Sequence, residues 1–377
     1  MDVVDSRIGQ SVAALDTPAV LVDLDVLERN VERMSAFAAE HGIRLRPHAK
    51  SHKTLGIAER QRSAGARGFT VAKLDEADAY LTAGFDDLLI ANEIVGMDKW
   101  QRLAAMQRRG SVAAGIDDLQ AATGMAEVAR EAGVTVPVLI EVDCGLRRAG
   151  VGLGGPTLDL AAKVARLAGL NLRGVFTHAG HAYTAQSPAE VARIGRGEGE
   201  GLVETAELLR CNGIACEVVS VGSTPTARYA GAVPGVTEFR PGNYVFYDRM
   251  QVALGAAQAD DCALTVLTRV ISRPDQRRVV VDAGSKTFAL DRGAHGTDAL
   301  AGFGEAKTPP HLVLERLSEE HGMFSLGLQD QTLAIGDRLR FIPNHACTVA
   351  NLADVLLGMR GNQVAEVLKV LVRGGGR

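Results

Sequence analysis

The sequence predicts an α/β protein in which a closed, TIM-like (β/α)8 barrel is followed by a mainly β C-terminal domain. Its 377 residues suffice for one large domain and a smaller partner. Up to about residue 250, short β-branched or apolar runs alternate with amphipathic stretches of helical period. After about residue 255 that period fades and strand-like runs separated by polar turns follow. We therefore assign residues 16–254 to the barrel and 255–377 to the β domain, with residues 1–15 as a candidate addition to it.

Eight strand-like runs, each followed by a helical stretch, indicate the closed barrel. These runs occupy residues 19–25, 44–50, 68–73, 87–92, 111–117, 137–144, 172–178 and 216–222. The stretch 27–40 illustrates the helical texture, with apolar side chains at Val31, Met34 and Phe37. An open doubly wound sheet is the alternative arrangement of the same elements.

The composition excludes several classes of function. The net charge is −4, the isoelectric point is about 6.2 and no basic block is present, so nucleic acid is not the expected partner. No run of about 18 uncharged apolar residues occurs, which argues against membrane insertion. The first 15 residues lack the apolar core of a signal peptide and the five cysteines are irregularly spaced. We therefore expect reduced thiols in a cytoplasmic protein.

A basic segment, Arg46-Pro47-His48-Ala49-Lys50, ends the second predicted strand. Because strand side chains alternate between faces, Arg46, His48 and Lys50 would share one face. Barrels carry their catalytic residues at the C-terminal rim, where desolvation and neighbouring cations would lower the pKa of a lysine. A neutral amine is what Schiff-base chemistry requires. A solvated basic turn is the alternative interpretation.

Other predicted strand ends also carry polar groups. Residues 143–150 offer an arginine at the rim, and residues 175–183 offer two histidines and a tyrosine as acid–base groups. The Gly-Ser-Thr turn at 222–226 precedes a helix and presents N–H groups that suit a phosphate, and a second turn follows at 240–244. Taken singly, each segment is equally consistent with ordinary turn chemistry.

The pair His345 and Cys347 lies late in the predicted β domain. A spacing of two residues places imidazole and thiolate on one face of an extended segment, where both could bind one metal ion. Two protein ligands leave positions open for water or substrate, and the thiolate favours zinc over magnesium. Without further support, such a pair is more often a coincidence than a site.

Together, these motifs resemble those of the fold-type III pyridoxal-phosphate enzymes. Within that group the chain is similar to the branch of D-serine dehydratases, D-threo-3-hydroxyaspartate dehydratase and D-threonine aldolases. The resemblance spans residues 17–347 and includes four specific matches in the family's order. These matches are Arg46-Pro47-His48-Ala49-Lys50, Gly222-Ser223-Thr224-Pro225-Thr226, Arg240-Pro241-Gly242 and the His-x-Cys pair at 345–347.

The resemblance implies roles for individual residues. Lys50 would hold pyridoxal 5'-phosphate as a Schiff base and move the substrate's α-proton, with His178 and Tyr183 as further catalytic groups near the ring or the substrate. His345 and Cys347 would bind a divalent metal beside the β-hydroxyl, zinc in preference to manganese or magnesium. The remaining cofactor contacts would come from His48, Arg148, Tyr183, Gly222, Ser223, Thr224, Gly242 and Asn243. Family members are typically homodimers that act on small D-amino acids with the active site at the interface.

The implied reaction is that of a lyase on a D-3-hydroxy amino acid. Expulsion of the β-oxygen gives a 2-oxo acid and ammonia, whereas its deprotonation gives retro-aldol cleavage to glycine and an aldehyde. The His-x-Cys pair and the His-Ala-Gly-His-Ala-Tyr segment favour dehydration of a D-serine-like or 3-hydroxyaspartate-like substrate. Two departures leave the substrate open: Ala182 where the family has serine, and the order Thr348-Val349-Ala350-Asn351 after Cys347.

Two other functions are weaker alternatives. A non-catalytic pyridoxal-phosphate carrier would be a bare barrel, without the β domain and its candidate metal pair. An alanine racemase would need a second base, usually a tyrosine of the β domain. No tyrosine follows Tyr247 in this sequence.

Overall fold

The computed structural model describes residues 5–294, 300–327 and 332–375, which form two compact units. The barrel unit contains Arg33–Lys50 and Ala58–Gly242. The β unit contains residues 5–32, Ser51–Ile57 and the described residues of Asn243–Arg373. Within these ranges, no helix has the length and apolar character needed to cross a bilayer.

The elements alternate along the first part of the chain as the sequence predicts. The strands are β1 (Ala19–Asp23), β2 (Arg44–Leu45), β3 (Phe69–Val71), β4 (Asp87–Glu93), β5 (Ser111–Ile116), β6 (Val136–Asp143), β7 (Val151–Gly152), β8 (Leu170–Thr177), β9 (Val218–Val221), β10 (Glu238–Phe239), β11 (Leu264–Ser272), β12 (Arg278–Val281), β13 (Gly304–Ala306), β14 (Arg316–Leu317), β15 (Gly322–Ser325), β16 (Arg338–Pro343), β17 (Val355–Arg360) and β18 (Gln363–Lys369). The α-helices are α1 (Leu24–Glu40), α2 (Leu55–Ser63), α3 (Leu74–Thr82), α4 (Met97–Met106), α5 (Leu119–Glu131), α6 (Gly155–Val164), α7 (Pro188–Cys211), α8 (Ala227–Ala230), α9 (Arg249–Ala253), α10 (Ser285–Phe288) and α11 (Ala346–Leu352). Short 3-10 turns occupy Val12–Ala14, Ala49–Ser51, Gly180–Thr184, Asn243–Val245 and Ala259–Asp261.

Local signals in the sequence fix the ends of several helices. The Asp118 carboxylate accepts the Ala121 N–H at 2.9 Å and starts α5. At α7, Ser187 accepts the Glu190 N–H at 3.2 Å and Pro188 occupies the first turn, where its missing N–H costs nothing.

The barrel unit is built on a parallel sheet in the order β2-β10-β9-β8-β6-β5-β4-β3, with β7 beside β6. The first and last strands of this order, β2 and β3, are joined because the chain stays extended beyond β2. His48 pairs in parallel with Thr70, whose N–H donates to the Pro47 carbonyl at 2.8 Å. The predicted barrel followed by a mainly β domain is thus confirmed.

One predicted barrel strand belongs to the other unit. The run 19–25 forms β1, which pairs antiparallel with β11 and parallel with β17 in the β unit. The eighth barrel strand is instead β10, which is only two residues long and contains the buried Glu238. The buried, β-branched run of β1 is recognisable as a strand from its sequence, but its partner strands are not. The short strand β10 is not recognisable, because it has two residues and one of them is charged. The predicted second strand is therefore the first strand of the barrel, and each later predicted strand is renumbered in the same way.

The β unit contains a nine-stranded sheet with the path β14-β15-β12-β11-β1-β17-β18, to which β16 and β13 are added beside β11. One hydrophobic cluster of this unit joins residues from the N-terminal segment, β1, β11, β17 and β18. Its buried members are Val12, Leu15, Leu21, Leu267, Leu357, Met359 and Val364. The N-terminal segment is also held by hydrogen bonds, since the Gly9 N–H donates to the Val364 carbonyl at 2.8 Å.

The boundary between the units differs from the sequence assignment of 254 and 255. Residues 243–254 contain a 3-10 turn and the helix α9, and they belong to the β unit. The Met250 N–H donates to the Asn344 carbonyl at 3.3 Å, and the Phe246 carbonyl accepts the Ala263 N–H at 2.7 Å. Such long-range hydrogen bonds leave no trace in local periodicity.

Candidate active site

The barrel rim gathers cationic and imidazole groups around His48. Burial and the charges of Lys50, Arg240, His178 and Arg148 hold the pKa of His48 well below its ordinary value. Lys50 follows in the 3-10 turn after β2, and its side chain is exposed. Four segments that are remote in the sequence thus converge on one end of the barrel, as the strand-end argument predicts.

Arg46 does not contribute to this group of cations. It is buried, and its Nε donates to Glu238 Oε2 at 2.7 Å. Its Nη1 donates to Asp87 Oδ1 at 2.9 Å, and the pKa of Arg46 is raised. The expectation that Arg46, His48 and Lys50 crowd one another is therefore wrong for Arg46, because two carboxylates neutralise it within the barrel wall.

His178 and the Gly222 turn form one hydrogen-bonded arrangement. His178 Nδ1 lies 2.8 Å from the Gly222 carbonyl oxygen, a bond that fixes the orientation of the imidazole ring. Tyr183 is buried in the 3-10 turn that follows His178. The structure therefore places both predicted acid–base residues in one segment at the end of β8.

The turn at 222–226 has the donors that a phosphate needs. In this part of the described chain, the N–H groups of Ser223 and Thr224 have no protein acceptor, and Thr224 Oγ1 is buried without a hydrogen-bond partner. Gly222 differs, because its N–H donates to Glu198 at 3.0 Å. The predicted phosphate contact through the Gly222 N–H is thus taken by the protein, whereas Ser223 and Thr224 fit the role. Gly242 lies buried after β10.

Arg148 lies beside a pair of carboxyl groups. Its Nη2 donates to Glu141 Oε1 at 3.1 Å. Burial and the neighbouring Glu141 raise the pKa of Glu93 to about 8, since two adjacent carboxylates do not readily ionise together. A proton on Glu93 leaves one negative charge on the pair to hold Arg148.

The buried Arg240 completes this end of the barrel. Its Nη1 donates to Ser220 Oγ at 2.6 Å, its Nη2 donates to the Thr177 carbonyl at 2.5 Å, and its guanidinium lies 5.0 Å from the centre of the Phe176 ring. From the sequence, Arg240 was identified only as part of a motif. Glu198 and Glu141 were not identified at all. Neither glutamate differs in local pattern from an exposed one, so composition and spacing contain no signal for them.

His345 and Cys347 do not lie on one extended segment. The strand β16 ends at Pro343, His345 is the N-cap of α11, and Cys347 lies in the first turn of that helix. The predicted geometry is therefore wrong, because α11 begins at Ala346, between the two residues. The two side chains nevertheless hydrogen-bond each other.

Three polar residues of the β unit hold this pair. Asp291 Oδ2 lies 2.8 Å from His345 Nδ1, the carboxylate–imidazole contact typical of metal-binding histidines. Asn243 Nδ2 donates to Cys347 Sγ at 3.4 Å and to Asp248 Oδ2 at 2.6 Å. The Asn243 Nδ2 group therefore binds Cys347 and Asp248 and is not available for the predicted phosphate contact.

His345 shifts the titration of Cys347 toward the thiolate form. Burial acts to raise the pKa of Cys347, but the hydrogen bond and charge of His345 hold it below its ordinary value. These donor atoms fit a thiolate-preferring divalent ion. Within the described ranges, no set of three or more histidine, cysteine, aspartate or glutamate side chains could hold a metal. The pair alone would leave coordination positions open.

Comparisons with known proteins identify the family of the chain. The family profile "Alanine racemase, N-terminal domain" matches residues 22–250, and "Putative serine dehydratase domain" matches residues 263–359. The chain belongs to this alanine racemase-like family. The predicted resemblance to fold-type III pyridoxal-phosphate enzymes is thereby confirmed.

Relatives in the alanine racemase-like family include both kinds of lyase. D-threo-3-hydroxyaspartate dehydratase of Delftia sp. (strain HT23) is 39% identical, covering 88% of this chain and 91% of the relative. D-threonine aldolase of Arthrobacter sp. is 33% identical, covering 97% and 95%. A solved dehydratase variant, a cysteine-to-alanine mutant in the metal-free form, has a TM-score of 0.90 with 35% identity over 96% of this chain and 99% of that one.

Proposed function

We propose that this protein is a pyridoxal-phosphate- and divalent-metal-dependent lyase that dehydrates D-3-hydroxy amino acids. A 3-hydroxyaspartate-like or D-serine-like substrate would yield a 2-oxo acid and ammonia. The observation that carries the proposal is the partly buried His345–Cys347 pair, in which Asp291 holds the imidazole ring at 2.8 Å. A metal ion there, preferably zinc, would act as a Lewis acid toward the substrate's β-oxygen.

The cofactor would be held mainly by residues of the barrel unit. Lys50 would bind it covalently, Ser223 and Thr224 would receive its phosphate, and the Gly242 and Asn243 backbones would assist. Arg148, His48 and Tyr183 would contact the ring. When bound, the cofactor supplies an electron sink for charge that develops at Cα.

The chain's own groups then account for proton movement. Lys50 would take the α-proton, and the exposure of its side chain supports this role because a substrate could approach it. Burial and its cationic surroundings hold the pKa of His48 well below its ordinary value, so the neutral ring can accept a hydrogen bond. His178, oriented by the Gly222 carbonyl, would bind or protonate a substrate oxygen.

Retro-aldol cleavage is the second candidate, favoured by the similarity to D-threonine aldolase. In that reaction the β-hydroxyl loses its proton and the Cα–Cβ bond breaks, so that threonine gives glycine and acetaldehyde. In dehydration the α-proton and the hydroxyl are lost as water, and hydrolysis of the resulting enamine releases ammonia. Two solved variants of D-threo-3-hydroxyaspartate dehydratase support dehydration. The residues replaced in them are a histidine and a cysteine two positions apart, as are His345 and Cys347.

Incubation of the purified, metal-loaded protein with D-threonine distinguishes the routes. The proposal predicts 2-oxobutanoate and ammonia in equal amounts. Glycine and acetaldehyde would instead establish the aldolase. If neither pair of products forms while the cofactor remains bound, the non-catalytic carrier would be favoured, although that alternative does not account for the matched dehydratase domain at 263–359.

The proposal extends to assembly and location. We expect a homodimer with the active site at the subunit interface, which light scattering after gel filtration would show as twice the chain mass of 39.8 kDa. All five cysteines are free thiols, which fits a reducing, cytoplasmic environment.

A further inference from the structure

A buried glutamate outside the predicted site joins two of its segments. Glu198 lies in the middle of α7 and is only 2% exposed. Its Oε1 accepts the N–H of Ala179 at 3.3 Å and the N–H of Gly222 at 3.0 Å, and its Oε2 accepts the Thr226 hydroxyl at 2.9 Å. One carboxylate thereby binds the residue after His178 and both ends of the turn at 222–226.

Further hydrogen bonds connect the groups that Glu198 binds to the rest of the turn and to His178. The Thr226 hydroxyl lies 2.8 Å from Ser223 Oγ, and the Gly222 carbonyl lies 2.8 Å from His178 Nδ1. The Gly222 N–H is directed to Glu198, while those of Ser223 and Thr224 have no acceptor in this described part of the chain. The hydrogen bonds of Glu198 therefore divide the turn into a part held by protein and a part left for a ligand.

Two glycines allow Glu198 to reach the turn. A Cβ at Gly195 would lie 2.8 Å from Tyr229 Cβ, and a Cβ at Gly199 would lie 2.7 Å from Val233 Cγ2. The helix thus packs unusually close to α8, which directly follows the turn. This approach brings the Glu198 carboxylate within hydrogen-bond distance of three donors.

The electrostatic cost of this arrangement argues for a function. Burial raises the pKa of Glu198 to about 7, although the hydrogen bonds from Gly222 and Thr226 and the charge of Arg240 lower it. No salt bridge of Glu198 is present in the described chain. A buried carboxyl without an ion pair costs stability unless hydrogen bonds compensate, and all three hydrogen bonds of Glu198 go to segments of the proposed site.

We propose that Glu198 is a positioning residue that holds the 222–226 turn ready for the cofactor's phosphate. It sets the Ser223 and Thr224 donors and, through Ala179 and Gly222, the neighbouring His178. The inference rests on the proposed function, because it takes the phosphate of pyridoxal phosphate as the ligand of the turn.

The test compares pyridoxal phosphate with pyridoxal, which lacks the phosphate. Cofactor is removed from the full-length protein, and both compounds are titrated by absorbance into wild type, Glu198→Ala, Glu198→Gln and the control Glu200→Ala, which changes an exposed glutamate of the same helix. We expect Glu198→Ala to weaken pyridoxal phosphate about tenfold or more and pyridoxal less than about threefold. Glu198→Gln retains an oxygen acceptor and should restore most of the affinity, and Glu200→Ala should match wild type.

Each outcome decides a separate claim. Equal loss of both compounds in Glu198→Ala, or affinity for pyridoxal phosphate unchanged from wild type, would overturn the positioning role. If Glu198→Ala does not fold, Thr226→Val decides in its place, since it removes only the hydroxyl between Glu198 and Ser223. That variant should lower the preference for pyridoxal phosphate over pyridoxal at least about threefold, and an unchanged preference would refute the role. Failure of the wild-type protein to bind pyridoxal phosphate would instead contradict the proposed function.

Discussion

At the scale of single residues, the barrel rim is an electropositive site with one exposed amine. Burial and four surrounding positive or imidazole groups keep His48 neutral, while Arg46 is removed from the site by Glu238 and Asp87. The rim thus offers cations for an anionic cofactor together with a lysine that solvent and ligands can reach.

Replacing Lys50 should abolish covalent cofactor binding. We expect Lys50→Ala to lose the absorbance band of the bound cofactor and to lower turnover by at least about a thousandfold, because it removes the amine assigned to the Schiff base. Lys163→Ala, at an exposed lysine of α6, is the matched control. Activity retained in Lys50→Ala would disprove the assignment of this lysine.

Loss of a residue of the His345–Cys347 pair should remove the metal without removing the cofactor. Cys347→Ala should reduce bound metal and activity while the cofactor absorbance persists, because the two groups are assigned to different residues. Asp291→Asn should weaken metal affinity about 10- to 100-fold by loosening His345. Metal analysis after dialysis measures both effects, with the exposed Asp354→Asn as control. Unchanged metal content in Cys347→Ala would refute its role as a ligand.

The carboxyl pair beside Arg148 predicts a pH dependence of stability. The pKa of Glu93 is raised from 4.5 to about 8, so the folded protein retains a proton that the unfolded chain has lost. This stabilising contribution is complete below pH 4.5 and is lost as the pH rises toward 8. Glu93→Gln lacks the titrating group, so its thermal midpoint should fall less than that of wild type between pH 5.5 and 8.5. Parallel midpoints across this range would contradict the shared proton.

At the scale of elements, α7 depends on small residues where it faces α8. At Gly199 a Cβ would lie 2.9 Å from the Ala230 carbonyl oxygen, whereas at Gly197 nothing lies within 4 Å. Gly199→Ala should therefore destabilise the protein by about 1–3 kcal/mol through overpacking. Gly197→Ala, in the same helix but exposed, should be neutral or stabilising by up to about 1 kcal/mol. Denaturant unfolding of both variants measures the difference, and equal effects would show that close packing is not the constraint.

The elements also show what the sequence could predict. Alternation of apolar runs with helical stretches was sufficient to predict the barrel, and the strand-end rule was sufficient to group Lys50, Arg148 and His178. The assignment of β1 to the β unit depends on pairings between residues more than 200 positions apart, such as Ala19 with Leu267. The two-residue strand β10 depends on its pairing with β9 and with the distant β2. Glu198 was not predictable, because nothing in its local pattern separates it from the exposed Glu200 two residues later.

At the scale of the whole molecule, each unit supplies one part of the proposed chemistry. The barrel unit contains Lys50 and the phosphate-binding turn, and the β unit contains His345 and Cys347. Family membership extends over both units, since the two matched domains cover residues 22–250 and 263–359. The proposed reaction therefore requires the residues of both units.

The most direct test of that account is product analysis with D-threo-3-hydroxyaspartate. Wild type should convert it to oxaloacetate and ammonia, and chelation of the metal or Cys347→Ala should suppress this conversion while the cofactor remains bound. Formation of glycine and glyoxylate would contradict the dehydratase assignment. Oxaloacetate formed at the wild-type rate after metal removal would contradict the role of the His345–Cys347 pair.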